Sequence, residues 1–514
     1  MIGVKKLNQI DIVISLALAM FVAVLFMAFL RPPALSDQLD YFYHASQLQD
    51  LGSKHRHLRV GIIWPTSILI GIFGYSEISY YALPLFSALS LSLGTWLLGR
   101  LLFSRATGIV AGLLVVCNQW VLLEVSHLLP DFLAAGLLTL SFVVLIYLGQ
   151  DGKLNGKLSG STIGLLVLSG VLLGWSYLAR EYVFVLFPAA LLLLLVFRSN
   201  LKHIAYFSIG ALACWLAELI WGWLLYENPI IRFLAVSSPR QTVREFETSI
   251  WGVLGQLPEL FLGASGGWLF VTLFLLALIV VPVCAVYLGG PWRILAAWFV
   301  AGWCFFTIIA LLPMLLLGED RVYLRMHKFR YWALILPPLF VGGVAVLGQT
   351  LNHLYNKLRK WQFIPVFLLC LFLVFLAAFQ SVGSISRSTA FVRNGATDYL
   401  EFRSFIRSIE PSRKLWIDGR KNGGSALRSV PIYLSEWHGL KSAWSGGVHY
   451  FFNQVDFVTL EEIEGGVLVL DRTRVDFFLK SPLPPEYLMF PERYGTEIFR
   501  STMGKMVVYD MSKK

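Results

Sequence analysis

Residues 11–45 read DIVISLALAMFVAVLFMAFLRPPALSDQLDYFYHA, an apolar run followed by Arg31-Pro32-Pro33 and then the polar stretch Ser36 to Ala45. A helix over 11–30 rises about 30 Å, enough to cross the hydrocarbon core of a bilayer. The polar stretch therefore begins where the membrane ends, and it carries two carboxylates, Asp37 and Asp40, almost against the lipid. Acidic groups so close to hydrocarbon are costly and are usually retained for a reason. If the stretch is helical, Asp37, Tyr41 and Ala45 stack on one face at four-residue steps. Asp37 in a first turn is equally suited to cap its own helix, and an Asp-x-x-Asp spacing does not separate the two roles.

The rest of the chain repeats the apolar pattern. Of 514 residues, 57% are hydrophobic and 14% charged, where a soluble chain carries about a quarter charged. Apolar runs predict about eleven crossings, near 11–30, 79–103, 107–123, 132–149, 162–179, 182–197, 204–225, 268–288, 294–316, 331–349 and 363–382. Lys5 and Lys6 precede the first run and no cleavage signal follows, so it reads as a retained helix. With the N-terminus inside, the inner loops hold twelve basic residues against Asp11 and Asp151 alone. That asymmetry is the positive-inside pattern, and it accounts for the net charge of +11 without nucleic acid. The five cysteines all lie in apolar runs, which gives neither a disulfide framework nor a CxxC site.

After about residue 385 charged residues become frequent and apolar runs short. Lys414–Asp418, Gly466–Asp471 and Lys505–Asp510 read as strands, and Asp398–Ile409 as an amphipathic helix. The expected architecture is an all-α polytopic membrane domain over 1–384, with long outer loops at 31–78 and 226–267, and a small extracytoplasmic α/β domain over 385–514. In the first loop, Ile62–Phe73 is too short to cross. In the second, Arg240–Glu247 reads either as an interfacial helix or as a solvated amphipathic one.

Four groups of residues are candidates for chemistry, and this topology brings all of them to the outer face. Beside the Asp37 stretch stands His127-Leu-Leu-Pro130-Asp131, with Glu124 one turn earlier. Pro-Asp is also ordinary helix-initiation chemistry. Arg180-Glu181-Tyr182 interrupts some thirty apolar residues. If that run is two helices the pair lies at the outer face; if it is one kinked helix the pair is a buried structural ion pair. The last group, Glu319 to Tyr331, holds Arg325, His327, Lys328 and Arg330. Such a basic cluster on the outer side runs against the charge rule, so an anion should compensate it, and a lipid phosphate suits Arg and Lys donors. Arg56, His57 and Arg59 add a second basic run. Carboxylates, cations and apolar walls at one mouth fit group transfer from a lipid-linked phosphate: a carboxylate takes the acceptor's proton and cations stabilise the departing phosphate.

At these residues the sequence resembles the GT-C superfamily of polyprenyl-phosphate-sugar glycosyltransferases, in particular bacterial relatives of protein O-mannosyltransferases and of lipid A aminoarabinose transferases. Asp37, Tyr41 and Ala45 match the family's first outer loop, where its usual Asp-Glu pair is here Asp37-Gln38; Pro130-Asp131 matches its second acidic site. Arg180 matches its Arg after the fifth span, and Arg330-Tyr331 with Pro337 its late Arg-Tyr motif. The resemblance implies inverting transfer of one sugar from a polyprenyl-phosphate donor to a hydroxyl of a glycan, lipid or protein acceptor, at the outer face of a bacterial plasma membrane. It implies Asp37 as general base or in acceptor positioning and Asp131 in orienting the acceptor or donor; whether Asp40 takes the place of the missing glutamate stays open, with Asp40 kept as a catalytic candidate. Arg180, Arg325, Lys328 and Arg330 would hold the phosphate, with His327 secondary. Some relatives use a divalent cation, so a metal stays open. Two alternatives remain: a glycan ligase using a lipid-diphosphate donor, and a lipid-linked sugar flippase, although a transporter should show repeated halves and midplane polar sites.

Overall fold

The computed structural model describes residues 8–30, 33, 37–48, 58–124, 126–154, 158–197, 199–237, 277, 279–298, 302, 329–357, 364, 368, 390–410, 412–418, 432, 448–451, 465–471, 495–504 and 506–511. The chain divides into two compact units. One comprises Met1–Phe29, Ser53–Ile62 and Pro84–Ile385; the other Leu30–Gly52, Ile63–Leu83 and Ser386–Lys514.

The first unit is helical. Its main elements are α1 (Gln9–Ala28), most of α4 (Glu77–Leu102), α5 (Arg105–Cys117), α6 (Gln119–Glu124), α7 (Pro130–Gln150), α8 (Gly160–Ala179), α9 (Phe187–Val196), α10 (Leu201–Tyr226), α11 (Ile231–Ser237) and α12 (Leu336–Lys357). Among the described residues six helices are long and apolar enough to cross a membrane: α1, α4, α7, α8, α10 and Trp332–Lys357. The run read as one span at 107–123 is broken, because Asn118 leaves the helical conformation (φ −63°, ψ 132°) between α5 and α6. The later spans at 294–316 and 363–382 fall largely outside the described residues, and about half of that at 268–288 does.

Specific contacts fix the bundle. Asn8 and Asp11 form a reciprocal capping box at the start of α1, satisfying backbone N–H groups that the first turn leaves open. Asp11 also accepts from Arg105 Nε at 2.7 Å and from the buried Arg100 Nε at 3.1 Å, tying α1 to the end of α4 and the start of α5. α8 crosses α10 where glycines allow backbone contact: a Cβ on Gly170 would stand 2.0 Å from the Phe207 carbonyl oxygen, and one on Gly210 2.2 Å from that of Val167. α7 and α8 are joined by Ser141 Oγ donating to the Ser169 carbonyl at 2.8 Å and Ser176 Oγ to that of Ala134 at 2.7 Å.

The second unit holds α2 (Asp37–Ser46), most of α3 (Val60–Phe73), the start of α4, α13 (Ala390–Ser408) and strands β1 (Leu415–Asp418), β2 (Val448–Phe451), β3 (Val467–Asp471), β4 (Thr496–Arg500) and β5 (Met506–Asp510). At 14 residues, α3 rises about 21 Å and falls short of a crossing. The sheet order is β2-β1-β3-β5-β4. β1 runs parallel to β2 and β3, and β5 antiparallel to β3 and β4. Tyr399, Phe402 and Ile406 of α13 pack on Leu415, Ile417, Val467, Val469, Met506 and Val508. This gives the unit its own core. The charged face of the same helix is used too: Asp398 accepts from Met503 N at 2.9 Å, Glu401 from Thr502 N at 2.8 Å, and Arg403 donates from Nε and Nη2 to the two carboxylate oxygens of Glu77.

Candidate active site

The site lies in the first unit, where α8 ends. Arg180 takes an extended conformation (φ −141°, ψ 114°) that stops α8, and a 3-10 turn over Glu181–Leu186 leads into α9. The thirty-residue apolar run is thus two helical segments with the charged pair at their junction. At the start of α7, Pro130 occupies the first turn, where its missing N–H costs nothing. Asp131 follows it, wholly buried.

These two junctions meet. Asp131 Oδ1 accepts from Arg180 Nε at 2.7 Å and from the Tyr182 hydroxyl at 2.6 Å. Arg180 also lies over the Tyr182 ring, 5.1 Å from its centroid. Asp131 Oδ2 is buried with no hydrogen-bond partner among the described residues. Glu181 turns the other way. Its Oε1 accepts from Arg59 at 3.1 Å and stands 3.9 Å from Arg180, while Oε2 meets Arg232 at 3.4 Å. Arg232, from α11, donates to Glu218 Oε1 of α10 at 2.6 Å and to the Tyr177 carbonyl at 3.0 Å, and lies over the Tyr177 ring.

Three guanidinium groups and three carboxylates therefore alternate through one buried network spanning α7, the end of α8, α10, α11 and the segment before α3. Buried charges persist only when paired and hydrogen-bonded. Burial alone would raise the Glu181 carboxyl in this junction, but the charges of Arg59, Arg180 and Arg232 outweigh it and hold the group well below its ordinary range. Burial works against the Arg232 cation likewise, and Glu218 and Glu181 reverse the effect and raise it.

Of the residues singled out from sequence, the structure joins Asp131, Arg180, Glu181 and Arg59 in this network. Glu124 and His127 form a separate pair, Oε2 to Nδ1 at 3.0 Å, in the turn after α6. Asp37, Asp40 and Tyr41 lie on α2 in the other unit, and Tyr41 and Ala45, four residues apart, are both buried. Arg330 sits in a 3-10 turn over Phe329–Ile335. Arg56, His57, Arg325, His327 and Lys328 lie outside the described residues. The sequence reading missed Glu218, Arg232 and Tyr177. Glu218 did carry a signal, as an ionisable group inside a span. Among the described residues no three His, Cys, Asp or Glu side chains come together as a metal site.

The chain joins a helical unit with several helices long and apolar enough to cross a membrane to a small five-stranded sheet. Two solved structures share the fold over nearly the whole length. ArnT from Cupriavidus metallidurans bound to undecaprenyl phosphate superposes with a TM-score of 0.57 at 14% identity, covering 97% of this chain and 98% of that one. The same protein in the apo state gives 0.53 at 14% identity and 97% of each chain. An Archaeoglobus fulgidus oligosaccharyltransferase tethered to an acceptor peptide is more distant, at a TM-score of 0.49, 11% identity and coverage of 96% and 73%. No family model matches the chain, and no curated protein does.

Proposed function

We propose that this protein is an integral-membrane inverting glycosyltransferase that moves a single sugar from a polyprenyl-phosphate donor to an acceptor hydroxyl at the extracytoplasmic face. The observation that carries the reading is the buried Asp131–Arg180–Glu181–Arg59 network, set in a fold shared with a protein whose structure holds undecaprenyl phosphate. A dense set of guanidinium groups in a low-dielectric site is suited to the charge that develops on a departing phosphate. Bidentate Arg recognition of phosphate oxygens supplies the geometry.

In this reading the acceptor oxygen attacks the anomeric carbon opposite the phosphate. The carbon–oxygen bond to the phosphate breaks, and its electron pair leaves on the polyprenyl phosphate. The hydroxyl proton passes to a carboxylate, which we assign to Asp37, with Asp40 beside it. Asp131 orients a substrate hydroxyl through its second oxygen. Arg59 and Arg180 hold the phosphate together with Arg325, Lys328 and Arg330, His327 assisting. The N-terminus is cytoplasmic, and the C-terminal segment from about 385 is extracytoplasmic, in a bacterial plasma membrane.

The test is transfer of labelled sugar from a panel of polyprenyl-phosphate sugars to membrane-fraction acceptors, by purified wild type, Asp131→Asn and Arg180→Lys. Both variants should lose about 100-fold or more in kcat/KM, the scale of removing a group that stabilises transition-state charge. Wild-type activity retained in both folded variants contradicts the assignment.

A further inference from the structure

Glu181 has an arrangement that the transfer chemistry does not require. Its side chain is the shared anion of three cations, at 3.1 Å from Arg59, 3.9 Å from Arg180 and 3.4 Å from Arg232. The three have unequal claims. Arg180 is already engaged through Nε by Asp131 at 2.7 Å, and Arg232 by Glu218 at 2.6 Å. Arg59 reaches Glu181 through one guanidinium edge. The edges that face Glu181, Nη2 of Arg59 and Nη1 of Arg180, are donors of the kind a phosphate takes.

We infer that Glu181 is a place-holder anion, which the donor phosphate displaces from Arg59 and Arg180 and which Arg232 keeps compensated when it moves. This rests on the polyprenyl-phosphate reading. Among the described residues three carboxylates face three guanidinium groups, so a phosphate added while Glu181 stays in place competes with a like charge for Arg59 and Arg180 in a buried setting. A shift of Glu181 toward Arg232 relieves that repulsion without a proton or an outside counter-ion. Glu181 Oε2 already meets Arg232, which is itself anchored to Glu218, to the Tyr177 carbonyl and over the Tyr177 ring. The destination is already built. Glu181 is thus a positioning residue that sets phosphate affinity, keeping the guanidinium groups apart and ordered and favouring release of the spent carrier after transfer.

The sign of one substitution separates this role from others. Binding of undecaprenyl phosphate to detergent-purified wild type, Glu181→Gln and Glu181→Asp should be measured, with undecaprenol as the uncharged control and thermal unfolding as the check on folding. Glu181→Gln keeps the shape and removes the competing charge. It should tighten undecaprenyl phosphate about tenfold, a conservative share of the repulsion between unit charges a few ångströms apart, and leave undecaprenol unchanged. Glu181→Asp keeps the charge and should stay within about twofold of wild type on the same grounds. Weaker or unchanged phosphate binding in folded Glu181→Gln overturns the inference, as does equal tightening in Glu181→Asp. Failure of wild type to bind undecaprenyl phosphate at all defeats the polyprenyl-phosphate reading first and the place-holder role with it.

Discussion

At the scale of single residues, the decisive feature is where charge is allowed inside apolar sequence. Asp131, Arg180 and Glu181 were legible because each interrupts a run in which an isolated charge is expensive. Their mutual partnership was not, since Asp131 and Arg180 are 49 positions apart and only the packing of α7 on α8 brings them to 2.7 Å. Arg232 was hidden for a related reason. It precedes the amphipathic stretch Arg240–Glu247 and reads as one more loop cation until α11 brings it to Glu218. The same network makes a prediction about acid. A carboxyl held low in the folded state contributes stability above its unfolded value and loses that contribution as pH falls through the folded one. Unfolding of wild type and Glu181→Gln in detergent should therefore differ by a constant amount at neutral and mildly acidic pH. The gap should close only as the pH falls below the ordinary glutamate value of 4.5. A gap that already closes near neutrality would mean that the three cations do not govern Glu181.

At the scale of elements, the long apolar helices were readable from length and composition, and α1, α4, α7, α8 and α10 lie within three residues of the expected bounds. The break at Asn118 was not, because a single asparagine costs a helix interior less than about 1 kcal/mol and Leu113–Cys117 and Trp120–Leu123 keep the run apolar around Asn118-Gln119. In the second unit three strands were visible as apolar runs ending in Asp. β2 is four residues with no such signature and is defined by its parallel register with β1, and β4 is an edge strand with a bulge between Glu497 and Phe499. The α8–α10 crossing gives the sharpest element-level prediction. Gly210→Val on α10 forces a side chain onto the Val167 carbonyl of α8, while Gly164→Ala on α8 places its Cβ in open space. The first should cost at least the roughly 1–3 kcal/mol of core overpacking, and the second should be tolerated. Thermal unfolding of both in detergent checks the pair, and equal stability would argue against backbone contact at this crossing.

At the scale of the whole molecule, the fold that the Asp37, Asp131 and Arg180 motifs implied is the one that ArnT also adopts, at 14% identity. So distant a likeness preserves an arrangement of helices and leaves the chemistry to the site. The particular sugar and acceptor are not legible in either, because specificity of that kind resides in contacts made by a few loop side chains rather than in a pattern of apolar runs. The central claim concerns what leaves the site. The most direct measurement is the mole ratio of free polyprenyl phosphate released to sugar transferred by the purified protein, across a panel of polyprenyl-phosphate sugars. Single-sugar transfer predicts one molecule of polyprenyl phosphate released for each sugar moved, with the anomeric configuration inverted in the product. Release of a polyprenyl diphosphate from a glycan donor, or transfer with retained configuration, would contradict it.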